Sequence, residues 1–300
     1  MRSEGALLCI ASAAAFGAMA IFGKFAYDEG ASVGTLLALR FTMAAGLFWL
    51  LLFARRAARE LRALRPRDLR LGLALGACGY SLQAGCYFAA LDRIDASLLA
   101  LLLYTFPAIV AATAVAIGRE RFDARHVAAV VLATGGLALV VAGAGAGSLD
   151  PLGTVLGLGA AIVYSTYILV SDGIARRVRP QVLATLVCTG AAVTLVVGSA
   201  LLGELRPGDL TAAGWGWLGC LAVVSTVAAI SLFFAGLERV GPTTAAILAT
   251  VEPLVTVGLA FVVFGEMLGA IQLLGGALVL AAVVPATVAA RRPRLAEVPA

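Results

Sequence analysis

Apolar residues run along this chain in ten blocks, separated by short stretches that hold nearly all of its charge. The blocks fall at about residues 5–26, 32–54, 69–90, 96–118, 125–143, 151–171, 181–202, 213–236, 242–264 and 268–289. Each is close to the roughly 20 residues that a helix needs to cross a bilayer core. Backbone groups have no water to bond in lipid, so a spanning segment is either a helix or a strand of a closed barrel. Barrel strands would alternate polar and apolar positions and be about half as long. The pattern therefore predicts an all-α polytopic membrane protein of ten transmembrane helices.

The positions of the charges orient those helices. With the N-terminus on the cytoplasmic side, that side collects Arg2; Arg55, Arg56, Arg59, Arg62, Arg65, Arg67 and Arg70; Arg119, Arg121 and Arg125; Arg176, Arg177 and Arg179; Arg239; and Arg291, Arg292 and Arg294. The opposite side holds Lys24, Arg93 and Arg206, while Arg40 falls inside the second block. Basic residues near span ends stay cytoplasmic. The asymmetry predicts both termini in the cytoplasm, an even number of spans and a multi-pass protein of the plasma (inner) membrane.

Shifting the sequence by 146 residues lays segment 90–120 on segment 236–266. Leu91 meets Leu237, Arg93 meets Arg239, Pro107 meets Pro253 and Glu120 meets Glu266. Each half then contains five spans, and an odd number turns the second half over in the membrane. The chain divides into a first five-helix repeat (1–144), a second, inverted five-helix repeat (145–290) and a cytoplasmic tail (291–300). Inverted repeats are a common secondary-transporter architecture, with the solute site near the midplane between the halves.

Composition supports lipid as the surrounding solvent. The chain is 62% hydrophobic and 13% charged, against about 25% charged in soluble domains. The net charge of +5 has no polar face to display it to nucleic acid. The five cysteines all lie in apolar blocks without a CxxC pair, and read as small buried residues. One histidine, His126, leaves no cluster for a metal and makes a Ser-His-Asp hydrolase unsupported. No GxxxxGK[ST] sequence indicates ATP hydrolysis. Neither cofactor nor metal is expected. The expected partners are lipid and a small-molecule solute, and a homodimer is compatible with the pattern.

Three stretches resemble the drug/metabolite transporter superfamily in its EamA-like branch: ALRF at 38–41, LLLYTFPAIVAATAVAIGRERF at 101–122, and AAILATVEPLVTVGLAFVVFGEML at 245–268 followed by LLGGALVLAAVV at 273–284. The resemblance covers the whole chain as two tandem copies. It implies a ten-helix basket around a central cavity, lined mainly by the third, fourth, eighth and ninth helices with the first and sixth. The fifth and tenth would be peripheral. It also implies export of amino acids, metabolites or toxic compounds, with aromatic or neutral amino acids fitting as well as any. A multidrug or quaternary-amine exporter is the runner-up. A membrane-embedded enzyme would need clustered His, Asp or Ser, and a channel would need a continuous polar stripe.

Within the spans, ionisable residues mark function or a structural partner, since charge is costly there. Glu252 lies mid-span directly before Pro253, where it either exchanges protons or caps backbone groups that the proline frees. Arg40 either binds a solute carboxylate, pairs with an acid, or snorkels outward. Lys24 reads as interfacial. Tyr80, Gln83 and Tyr87 share one stripe of the third span, and Tyr87 also suits an interfacial belt, as do Trp215 and Trp217. Tyr104 and Tyr164 are central in their spans and would complete an aromatic lining. Pro107 and Pro253 are candidate hinges. Glu120 and Glu266 end their spans on opposite sides, as solvated ends or as latches to an arginine. Gly72, Gly76 and Gly79 suit close helix packing.

Overall fold

The computed structural model describes residues 2–55, 58–118, 123–143 and 150–289. These residues are helical with short connections, and no strand occurs among them. The helices are numbered here α1 (Ser3–Asp28), α2 (Val33–Ala54), α3 (Pro66–Leu91), α4 (Ala96–Ala116), α5 (Ala124–Gly143), α6 (Pro151–Ala175), α7 (Pro180–Leu201), α8 (Ala212–Val240), α9 (Thr244–Phe264) and α10 (Ala270–Ala289). Their starts carry helix-initiating chemistry. Ser32, Asp150 and Thr211 accept the backbone N–H three residues on, at α2, α6 and α8. Pro66, Pro151 and Pro180 occupy first turns, where a missing N–H costs nothing.

Eight of these helices are long and apolar enough to cross a bilayer. The other two segments expected from the sequence, α3 and α10, are helical as well. Tyr80, Ser81, Gln83 and Tyr87 dilute the apolar character of α3, and the apolar part of α10 is the shorter Ala270–Pro285. The chain is an all-helical, multi-pass membrane protein built from two related halves. The 144/145 boundary, Glu120 and the 291–300 tail lie outside the described residues.

Helix packing follows the repeat. The pairs α2·α7 and α5·α10 each join equivalent helices of the two halves. The contact of α1 with α8 has its mate in that of α6 with α3. Likewise α1 packs on α9 as α6 packs on α4. The α5·α10 pair depends on two facing glycines. A methyl on Gly136 would sit 2.6 Å from the Gly275 carbonyl oxygen, and one on Gly275 would sit 2.5 Å from that of Gly136. Close backbone approach of this kind replaces the hydrophobic drive that lipid cannot supply.

α1 is interrupted at Ala18, and four further helices depart from regular winding in two matched pairs. α4 breaks at Tyr104–Thr105 and α9 at Thr250, positions that the 146-residue shift superposes. Each break lies just before a proline, Pro107 or Pro253, which cannot donate to the preceding turn. α3 and α8 instead widen into π turns at Leu75–Tyr80 and Val223–Ala228. Such turns recur at functional sites. One expectation is corrected here. Cys9 and Cys188 are buried, but Cys78 is exposed because its side of α3 faces outward from the bundle.

Candidate functional site

A cavity of about 550 Å³ lies inside the bundle between the two halves. It is walled by α1, α3, α4, α6, α7, α8 and α9, touched by single residues of α2 and α10, and free of α5. One end reaches Cys9 and Pro180, near the face that carries the N-terminus. The other end stops at Arg40 and Tyr87. All seven candidate residues, Arg40, Tyr80, Gln83, Tyr87, Tyr104, Tyr164 and Glu252, line this one space, and so does Pro107. Pro253 is buried behind it.

Glu252 is held by a neighbour from the other half. The Tyr104 hydroxyl lies 3.0 Å from Glu252 Oε2 and 2.6 Å from the Ala249 carbonyl oxygen. Ala249 is four residues before Pro253, so its carbonyl is the one that the proline leaves without a helical donor. Tyr104 therefore fills the capping role that the sequence left open to Glu252. A protonated Glu252 can donate to the Tyr104 oxygen while the hydroxyl proton serves the carbonyl; an ionised Glu252 competes with the carbonyl for that one proton.

Arg40 is 2% exposed, so it does not snorkel. Its Nε donates to the Thr226 hydroxyl at 2.9 Å, and that hydroxyl donates to the Leu221 carbonyl at 3.0 Å. The guanidinium carbon lies 5.0 Å and 5.2 Å from the ring centroids of Phe41 and Phe88. This cation–π sandwich takes the place of an acidic partner. Among the described residues no carboxylate pairs with Arg40 and no cation pairs with Glu252.

Aromatic rings link the two groups. Phe41 meets Tyr80 edge-on at 5.3 Å, and Tyr80 meets Tyr167 at 5.7 Å. Tyr167 stacks with Tyr164 at 6.4 Å, Tyr164 meets Phe106 at 4.8 Å, and Phe106 meets Tyr104 at 5.7 Å. The cation and the carboxylate thus stand at two ends of one aromatic wall. Sequence spacing singled out most of the tyrosines. It missed Thr226 and Phe106, whose roles follow from a π turn and a helix break.

The end beyond Arg40 is filled by side chains from both halves. Phe25 stacks on Trp217 at 4.5 Å and tilts against Phe264 at 5.3 Å. The Thr35 hydroxyl donates to the Glu204 carbonyl at 2.7 Å. Lys24 Nζ donates to Glu266 Oε1 at 2.9 Å. Two expectations change here. Trp217 packs inward while Trp215 remains exposed, and Tyr87 is buried at the cavity, not in a lipid belt. Glu266 is neither a free solvated end nor paired with an arginine; its partners are a lysine and a helix start. Burial opposes its charge, yet hydrogen bonds from Lys24 and Ser97 outweigh burial and hold its carboxyl below the usual range. Partial burial and the neighbouring Glu266 charge push Asp95 upward, against the pull of Lys24.

A bundle of apolar helices in two related halves, enclosing a largely apolar cavity that carries a few polar groups, has the architecture of a membrane transporter. The EamA-like transporter family matches the chain twice, at residues 3–142 and 151–287. The chain belongs to this family, within the drug/metabolite transporter superfamily. It is 26% identical over 279 residues to the uncharacterized transporter YcbK of Bacillus subtilis strain 168, covering 91% of this chain and 89% of that protein. It is 30% identical over 224 residues to an uncharacterized transporter of Archaeoglobus fulgidus, covering 73% and 76%. A crystal structure at 22% identity shares the fold with a TM-score of 0.66, covering 97% of this chain and 99% of the other.

Proposed function

We propose that this transporter exports small metabolites, amino acids foremost, across the plasma membrane by alternating access. Both termini are cytoplasmic in this reading, so the cavity reaches toward the cytoplasm. The observation that carries it is the pair Arg40 and Glu252, the first buried and the second half-buried at the cavity, with no opposite charge paired to either among the described residues. A zwitterion offers a partner to either group: its carboxylate to the guanidinium or its ammonium to Glu252. Planar bidentate carboxylate binding is what a guanidinium does best. The tyrosine wall between them offers apolar faces with hydroxyl handles for the side chain. Glu252, which can donate to Tyr104 when protonated and must share its one proton with a carbonyl when ionised, is the group through which protons couple to export.

The runner-up, export of a quaternary amine, is favoured by the same aromatic wall, which suits an onium cation. It leaves Arg40 facing a like charge, which argues against it. Counterflow in proteoliposomes decides between them. Neutral amino acids in a labelled panel of amino acids and amines are expected to exchange. Uptake of amines alone would transfer the assignment to the runner-up. Uptake of no panel member, in sealed vesicles with folded protein, would end the amino-acid reading.

A further inference from the structure

Four of the polar contacts at the far end of the cavity converge on one side chain. Glu266 follows α9 directly, and its side chain is 7% exposed. Oε1 accepts from Lys24 Nζ at 2.9 Å and from the Ala96 backbone N–H at 3.1 Å. Oε2 accepts from the Ser97 backbone N–H at 2.9 Å and from the Ser97 hydroxyl at 2.8 Å. One carboxylate of the second half thus grips two helices of the first, α1 through Lys24 and α4 through its opening turn.

We propose that Glu266 is the gate on the face opposite the N-terminus, and that the cavity opens to that face only when Glu266 releases Lys24 and the start of α4.

Three features of the structure support this. First, the contact joins the two halves, so relative motion of the halves must break it. Secondly, α4 is interrupted at Tyr104–Thr105. Its outer part, Ala96–Leu103, is a short helical piece, and Glu266 holds the buried first turn of that piece. The first N–H groups of a helix lack intrahelical partners, and the helix dipole favours an anion there. Thirdly, release leaves nothing stranded. On opening, water reaches the carboxylate and the freed N–H groups, so the net change is far smaller than the gross bond strengths. Lys24 Nζ already lies 4.0 Å from Asp95 Oδ1, a second acid beside α4 whose side chain is largely exposed. Lys24 can pass from Glu266 to Asp95 as the mouth opens. The contact is strong when shut and replaceable when open, which is what a two-state element requires.

The gate does not depend on which solute is carried, and its test needs no substrate. In a background with the five native cysteines replaced by alanine, Ala84→Cys places one reporter thiol on the cavity wall. A membrane-impermeant thiol reagent is then applied to the face opposite the N-terminus of sealed vesicles. Glu266→Gln is expected to raise the modification rate about tenfold, the shift expected when a charge-assisted contact of a two-state element is lost. Lys24→Met is expected to raise it by a smaller factor, since the bonds to α4 remain. It also serves as the variant of choice if Glu266→Gln does not fold. As a second measurement, spin labels at Arg93→Cys and Met267→Cys report the width of the mouth. A longer-distance population is expected to appear in either gate variant. Modification rates within about twofold of the parent, together with an unchanged distance distribution, overturn the gate. Loss of amino-acid counterflow with normal gating would instead count only against the solute proposed above.

Discussion

At the scale of single residues, the cavity is arranged around two hydroxyls that each hold a larger group. Tyr104 caps the carbonyl left by Pro253 and touches Glu252 at the same time. Tyr104→Phe is therefore expected to lower thermal stability in detergent by about 1–3 kcal/mol, because a buried carbonyl loses its donor. It should also change the pH profile of counterflow. Unchanged melting together with an unchanged profile would show that the hydroxyl matters to neither. Glu252→Gln keeps the shape and a hydrogen bond but removes the proton site, so flux is expected to fall and its pH dependence to flatten while the melting temperature holds. Thr226 serves Arg40 in the same manner. Arg40→Lys keeps the charge but loses the Nε bond and the planar stacking between Phe41 and Phe88. Counterflow in that variant is expected to drop by about tenfold, equivalent to about 1.4 kcal/mol, mostly through weaker apparent affinity. Affinity equal to the parent would remove Arg40 from solute binding. The types and depths of Arg40 and Glu252 were legible in the sequence. Their partners were not, because Thr226 and Tyr104 are 186 and 148 residues away in the chain.

At the scale of helices, the irregularities of α3, α4, α8 and α9 are placed symmetrically. The breaks in α4 and α9 could be anticipated, since proline removes a donor wherever it stands in a span. The π turns in α3 and α8 could not, since no residue type dictates them. They are retained where Ser81 and Thr226 hydroxyls bond carbonyls five residues back, at 2.9 and 3.0 Å. The glycines of α5 make a sharp test of packing. Gly136 faces the Gly275 carbonyl, whereas Gly135 has open space around it. Gly136→Ala is expected to destabilise the protein by about 1–3 kcal/mol through overpacking. Gly135→Ala is expected to be neutral or stabilising by up to about 1 kcal/mol, as helix propensity dictates. Equal melting temperatures for the two variants would show that α5 and α10 are not in close contact. Composition announced that small residues would mediate packing, but two adjacent glycines differ only by which one faces the partner.

At the scale of the whole molecule, two similar halves form a cavity with unlike ends. One end reaches Cys9 and Pro180, and the other is shut across Lys24, Glu266 and the start of α4. The two acids there shift in opposite directions, which gives the closed state a defined pH response. Glu266 lies below its ordinary value when the mouth is shut, so its contribution is complete above the ordinary carboxylate range and is lost as pH falls through the lowered value. Asp95 lies above its ordinary value, so its charge opposes closure, and protonating it removes that opposition. Closure is therefore expected to tighten as acidification first neutralises Asp95, then to fail on further acidification as Glu266 is protonated. Thiol modification of the cavity reporter against pH checks this. Asp95→Asn should abolish the tightening limb and leave the acid limb in place. A flat profile in the parent would show that neither acid controls the mouth.

The sequence by itself determined that the chain is helical, spans a membrane many times and consists of two related halves. Those properties follow from block length, from the backbone's need for internal hydrogen bonds in lipid and from matched prolines and glutamates, all of which are local or periodic. It also marked which spans carry polar groups. Only the tertiary structure decided that Arg40 rests on two aromatic rings without an acid, that Tyr104 completes the turn broken by Pro253, and that Lys24 pairs with Glu266. The last two are contacts between the two halves, whereas the rings under Arg40 belong to its own half and its hydrogen-bond partner Thr226 to the other. Neither half holds the groups for both sides of such a contact, so it is fixed only when α1, α4, α8 and α9 pack together.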